Sequence, residues 1–298
     1  MLNDDFSDAA LVVMGHGSTR HAQSTATTYQ HAAELRRRGL FREVLEAFWL
    51  VEPKVSGLWE RVRAPRVFIV PLFLSEGYFT EQALPVALGL KTERQTQFPR
   101  VQRRSGQTIH YCHPLGDHPQ ITEVILARAR DVVAQAPGGA TSLSPHAADG
   151  GDRNVAAPMG TALILAGHGS GKSDMSRENL DQQVAIIRAR KSYAEVHGVF
   201  LEETPRIEEC YRLARATNWV VVPYFISDGL HTMEDLPVRL GEPPELVQAR
   251  LRAGEFPWRN PAERNGKRIW LARCLGTEPK LADLILERVE EEASGEER

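Results

Sequence analysis

Two histidines in the C-terminal half stand where apolar runs end. His168 closes LILAGH and lies between Gly167 and Gly169; His231 lies in GLHTMEDLP, just after WVVVPYFI. Imidazoles delivered from two neighbouring strand ends suit a borderline divalent metal, and near neutral pH they also take up protons. Flanking glycines let the backbone turn sharply and leave the ring accessible. A carboxylate nearby would add an oxygen ligand or a proton acceptor. Glu202 and Glu203, at the end of VFLEE, are the candidates, and Asp235 is placed to orient His231. Such a set is open, which fits a passing ion better than a stored one.

The same phrases occur earlier in the chain. VVMGHGST carries His16, 152 residues before His168, and VPLFLSEGYFTEQALP begins 152 residues before VPYFISDGLHTMEDLP. Two motifs that keep one spacing indicate a duplicated unit. The copies differ where chemistry is expected: the first has Phe79 for His231 and Ala83 for Asp235. The second copy therefore reads as active and the first as structural, with His16 a weaker candidate.

The elements that must position these residues alternate between strand and helix. In the first repeat, strands are expected at Ala10–Met14, Glu43–Val51, Arg66–Leu74 and Thr108–Cys112, with helices over Ser24–Arg38, Pro53–Arg61 and Pro119–Ala134. The second repeats the order: strands at Thr161–Ala166, Glu195–Glu203, Trp219–Ile226 and Ile269–Arg273, helices over Asn179–Lys191 and Pro279–Glu292. Leu240–Asn265 is longer than its counterpart and reads as an inserted loop or helix. Residues 135–160, rich in Ala, Gly, Pro and Ser, read as a linker. The expected organisation is an N-terminal lobe over 1–134, that linker, and a C-terminal lobe over 161–298. The fold class is α/β, with parallel, helix-covered sheets whose strand ends collect ligands.

Composition narrows the partners. A net charge of −3 argues against a nucleic-acid surface, and no apolar run approaches the ~20 residues that span a bilayer. The acidic start, MLNDDFSDAA, has no signal-peptide layout, so the cytoplasm is the expected location. Cys112, Cys210 and Cys274 form no C-x-x-C pair and read as buried apolar residues. His110, His113 and His118 cluster in HYCHPLGDH; on a strand the first two face opposite ways, and an accidental grouping is expected.

These motifs, G-H-G-S after a strand, F-L-E, and V-P-x-F-x-S-x-G-x-H-x-x-x-D-L-P, resemble the class II tetrapyrrole chelatases of the CbiX/SirB type. The resemblance covers both repeats, about Ala9 to Ala134 and Thr161 to Glu292. It implies two tandem flavodoxin-like lobes with a tetrapyrrole cleft between them, and insertion of a divalent metal into sirohydrochlorin or a related precorrin without ATP. The product would serve cobalamin or sirohaem synthesis. Cobalt is the first choice of metal, with iron or nickel as alternatives; the ion is a substrate and no permanently bound cofactor is expected. His168, His231 and Glu202 match the family's metal-facing and catalytic groups. Two departures stand out. Double-length members usually keep the histidine pair in the first lobe, and the family glutamate commonly lies four residues before a proline. Glu202 lies three before Pro205, so Glu203 stays open. The internal repeat makes a monomer plausible, and no nucleic-acid or membrane partner is implied. Lys172, Arg177 and Arg190 are candidates to orient substrate carboxylates.

Two other readings compete. Ala166–Ser173, AGHGSGKS, fits a relaxed P-loop in which Gly171, Lys172 and Ser173 would hold nucleotide phosphates. Alternatively the chain is a metal or tetrapyrrole carrier without turnover.

Overall fold

The computed structural model describes residues 4–19, 23–135, 160–169 and 175–295. The body of the expected linker, 136–159, and the Gly171, Lys172 and Ser173 of the nucleotide reading lie outside the described residues.

Each repeat builds one five-stranded sheet. The first comprises β1 (Ala9–Gly15), β2 (Glu43–Phe48), β3 (Arg66–Pro71), β4 (Val101–Arg104) and β5 (Gln107–Tyr111), in the order β2-β1-β3-β5-β4. The second comprises β6 (Thr161–Gly167), β7 (Glu195–Phe200), β8 (Asn218–Pro223), β9 (Ala262–Arg264) and β10 (Lys267–Leu271), in the order β7-β6-β8-β10-β9. All pairings are parallel except those of the edge strands β4 and β9. The parallel strands follow the flavodoxin arrangement, in which chain direction across the sheet reverses beside the first strand.

The central strands AALVVMG and TALILAG are buried along their whole length. Near-continuous apolar runs are what a parallel strand covered on both faces requires. In the second unit Ile164, Val221, Trp219 and Leu271 meet Leu236, Leu240 and Trp258 in one cluster; Val12, Ile69 and Tyr111 meet Leu58, Leu84 and Leu88 in its equivalent.

The antiparallel edge strands were not expected from the apolar pattern. Each forms a hairpin through a two-residue turn, Ser105–Gly106 with φ of 49° and 82°, and Asn265–Gly266 with φ of 47° and 74°. Positive φ at both positions matches the twist of a two-residue hairpin and favours Asn-Gly and its relatives. The inserted stretch of the second repeat forms helix Pro244–Arg252, tied down where buried Glu242 receives Arg250 at 2.8 Å and also Arg264.

The compact units do not coincide with the lobes read from the repeat. One comprises 1–121 with 279–298, the other 122–278. Each repeat's closing helix thus belongs to the other repeat's unit. Helix Leu281–Ser294 packs on β3, β5 and helix Gln23–Arg38, and its buried Arg288 pairs with Asp117. Helix Ile121–Gln135 joins the second unit through Thr122 to Gln183 at 2.6 Å, Glu123 to Arg190, and Arg128 to Glu278 at 3.3 Å. Apolar periodicity shows that a helix has a buried face, but not which sheet covers it. No helix among the described residues is long and apolar enough to cross a membrane.

Candidate functional site

Three adjacent strands of the second unit end together. His168 follows β6, Glu202 follows β7 and His231 follows β8, and β6 pairs with both neighbours. The pairing continues past the strand ends: Leu201 N–H donates to Gly167 O and Glu202 N–H to His168 O, both at 3.0 Å. These bonds hold the loops bearing His168 and Glu202 side by side.

Local sequence explains the turn at His168. Gly167 allows the close approach of the following helix, since a Cβ there would lie 2.6 Å from Leu180 Cδ1. Gly169 has φ of 71°, in the left-handed region that glycine enters without penalty. His231 begins a wide π-type turn over His231–Asp235, of the kind often found at functional sites. The turn is anchored by buried Thr232, whose Oγ1 accepts from Gly229 N–H at 3.0 Å.

The two imidazoles meet edge to face, with ring centroids 4.7 Å apart and planes at 85°. Phe225 flanks both, at 6.4 Å from His168 and 6.3 Å from His231. His168 Nδ1 donates to the carbonyl of Gly169 at 2.5 Å, and His231 Nδ1 donates to Asp235 Oδ2 at 2.8 Å. A carbonyl or carboxylate only accepts, so each neutral ring carries its proton on Nδ1 and keeps a lone pair on Nε2.

The two glutamates are placed differently. Glu202 is 58% exposed, with Oε1 3.8 Å from His168 Nε2. Glu203 turns to Arg177, at 3.0 Å, under Gly169. Glu202 is therefore the carboxylate at the free edge of the imidazole pair. Among the described residues no three His, Cys, Asp or Glu side chains already form a metal-holding group. The pair with one exposed carboxylate is an open arrangement that leaves most of an ion's coordination to other ligands.

The first unit repeats the frame with other side chains. His16 Nδ1 donates to Gly17 O at 2.8 Å, and Leu50 N–H donates to His16 O at 3.0 Å. The ring beside His16 is Phe79, at 4.7 Å and 88°. Trp49 and Phe73 pack on that phenyl ring at 6.1 and 6.0 Å. His16 thus has no imidazole or carboxylate partner in the matching positions.

The remaining sequence candidates lie elsewhere in their units. Arg177 is engaged with Glu203, Asp181 and the Thr204 carbonyl, and Arg190 with Glu123; Lys172 lies outside the described residues. His113 meets Glu76 at 2.7 Å, while His118 meets Glu287 and Glu291 at 3.4 and 3.2 Å. His110 stacks on Phe68 at 4.4 Å, so the HYCHPLGDH histidines serve different neighbours. All three cysteines are buried free thiols; burial pushes Cys210 up to about 12 and Cys112 and Cys274 well above the ordinary thiol value. Sequence reasoning passed over Asp228 and Arg273. The carboxylate of Asp228, buried three residues before His231, accepts from Arg273 Nη1 at 3.2 Å. The signal was the matching acidic residue, Glu76, in the first copy of the motif.

Known proteins share this arrangement of the chain. The family model described as CbiX matches it twice, over residues 10–132 and 162–292. A Halobacterium salinarum protein described as a probable sirohydrochlorin cobaltochelatase is 34% identical over 289 residues, 94% of this chain and 90% of its own length. A Deinococcus radiodurans structure, described as a multi-domain protein with structural similarity to chelatases and two additional novel domains, superposes with a TM-score of 0.70 at 30% identity. It is matched over 97% of this chain, which spans 56% of that protein. The sirohydrochlorin chelatase SirB from Bacillus subtilis, in complex with cobalt, superposes with a TM-score of 0.61 over 96% of both chains. At 17% identity that likeness is one of fold.

Proposed function

The chain belongs to the CbiX family, and from that premise we propose that it is an enzyme inserting a divalent metal, cobalt first, into sirohydrochlorin or a closely related precorrin without ATP. One observation carries this reading: the edge-to-face pair of His168 and His231, with both Nε2 lone pairs free at adjoining strand ends. The chemistry must strip water from an ion and exchange it for two pyrrole protons. Two imidazoles suit both halves of that exchange. While the ion is held, each Nε2 is a ligand; once the ion passes to the macrocycle, each freed Nε2 can take up a proton. Two protons then replace one dication, so the charge of the site is conserved. Asp235 holds His231 in the tautomer that the exchange needs. Glu202, exposed and next to His168 Nε2, is placed to relay a proton outward or to complete the ion's coordination.

The test is purified full-length protein with sirohydrochlorin and Co²⁺, Fe²⁺ or Ni²⁺, followed by absorbance without nucleotide. Insertion is expected, fastest with Co²⁺, and lost in His168→Ala and His231→Ala. Saturable macrocycle binding without metallation would support the carrier. Strict dependence on ATP, lost in Lys172→Ala, would support the nucleotide reading.

A further inference from the structure

Both units carry the same internal latch. In the first, Glu76 in the loop after β3 meets His113, just beyond β5, at 2.7 Å. In the second, Asp228 in the loop after β8 meets Arg273, just beyond β10, at 3.2 Å. The repeated L-G-x-x-P turns at Leu115 and Leu275 align His113 with Arg273. In the first unit an imidazole nitrogen makes the 2.7 Å contact, with Arg100 at 3.4 Å on the same carboxylate oxygen; at the matching position the second unit uses a guanidinium, with five N–H donors in a fixed fork.

Most of that fork is surplus to the latch. Arg273 gives one nitrogen to Asp228, lies over the Phe256 ring at 5.3 Å, and its side chain remains 50% exposed. Held at two points, the guanidinium is already ordered, which reduces the entropy cost of a further contact. Its position follows from the backbone. Ala272 N–H donates to Val221 O at 2.9 Å and Gly276 N–H to Phe225 O at 3.2 Å, so residues 272–276 run beside the strand end whose Phe225 flanks both imidazoles. The arginines suggested by sequence, Arg177 and Arg190, are engaged with carboxylates of their own unit.

We propose that Arg273 binds a peripheral carboxylate of the macrocyclic substrate, with Asp228 and Phe256 fixing the guanidinium for a two-pronged contact. This rests on the metal-insertion reading above and adds the group that positions the macrocycle over the imidazole pair.

The informative variant is Arg273→His, which puts the first unit's imidazole at this position and removes the fork. Full-length wild type, Arg273→His and Arg273→Lys are compared with sirohydrochlorin and with its fully methyl-esterified form, by metal insertion with Co²⁺ and by fluorescence binding of the metal-free macrocycle. For Arg273→His the KM and Kd for the free acid rise about tenfold. The kcat, the KM for Co²⁺ and the Tm stay near wild type, and Arg273→Lys is intermediate. Esterification removes the difference between the proteins. Wild-type affinity for the free acid in Arg273→His would overturn the proposal. So would a kcat loss that is the same for acid and ester, which would leave Arg273 a purely structural latch. If wild type binds the acid but inserts no metal, the binding arm still decides the role of Arg273 while the insertion reading fails. If wild type binds neither form, both fall.

Discussion

His16 meets the edge of Phe79 at 4.7 Å and 88°; His168 meets the edge of His231 at 4.7 Å and 85°. The frames agree around the histidines, down to the 3.0 Å hydrogen bonds from Leu50 and Glu202 N–H to the two histidine carbonyls. The contents differ. At the positions of His231, Asp235, Glu202 and Glu203 the first repeat has Phe79, Ala83, Leu50 and Val51. Phenylalanine fills the space of an imidazole and keeps its packing, but offers no lone pair. The frame is therefore a property of the duplicated fold, and the proposed chemistry depends on side chains that only the second repeat places on it, His231, Asp235 and Glu202.

The largest expected asymmetry lies between the two shared histidines. If His168 holds the ion and accepts a pyrrole proton, as proposed, His168→Ala should lower metal insertion by about 10²- to 10⁴-fold, whereas His16→Ala should leave the rate nearly unchanged. Steady-state insertion rates check both. Equal losses would place chemistry in both units.

Asp235 comes next. Partners that orient a metal-binding imidazole typically contribute about 10- to 100-fold, so Asp235→Ala should lose that much activity, with partial recovery in Asp235→Asn. The mirror change in the first unit, Ala83→Asp, adds a carboxylate beside a phenyl ring and should gain nothing in the same assay.

Backbone strain should separate fold from function. Gly17 and Gly169 have φ of 70° and 71°, and an added Cβ would lie 2.7 Å from Val51 Cγ2 and 3.1 Å from Glu203 Cγ respectively. Alanine at either position should cost about 1–2 kcal/mol or more in denaturant unfolding. Only Gly169→Ala should also slow insertion, because only that turn carries a histidine of the proposed pair.

The smallest effect concerns the first unit's latch. Hydrogen bonding from His113 holds the Glu76 carboxyl below its ordinary value of 4.5, against the opposing effect of burial. A depressed carboxyl adds stability above its unfolded pKa and loses it as pH falls through the folded one. Wild type should thus have the higher Tm near neutrality, and Glu76→Gln should converge with it below about pH 4.5. A gap that persists in acid would give Glu76 a role unrelated to its charge.

Much of this was legible in the residues. The fully apolar runs at β1 and β6 announced buried parallel strands, and the constant spacing of the two motifs announced the repeat. His168, His231 and Glu202 were named because each follows a strand end, where an α/β sheet gathers its ligands, and Asp235 because it shares the motif of His231 at a position where the first copy has Ala83. Other features were hidden for physical reasons. β4 and β9 are short edge strands with little to bury, so apolar periodicity missed them, although the turn residues Ser105–Gly106 and Asn265–Gly266 marked both hairpins. The exchange of the closing helices left no trace, because apolar periodicity marks a buried face and not the sheet that covers it. That Glu202 faces His168 while Glu203 faces Arg177 needed coordinates, since adjacent residues past a strand end point in different directions.

The most direct test of the account makes the second unit resemble the first. His231→Phe keeps the ring, its packing and the backbone frame while removing one lone pair. With sirohydrochlorin and Co²⁺, followed by absorbance, this variant should fold with a Tm close to wild type, still bind the macrocycle and show no metal insertion above the uncatalysed rate. Insertion at a rate near wild type in His231→Phe would contradict the claim that the imidazole pair carries the chemistry.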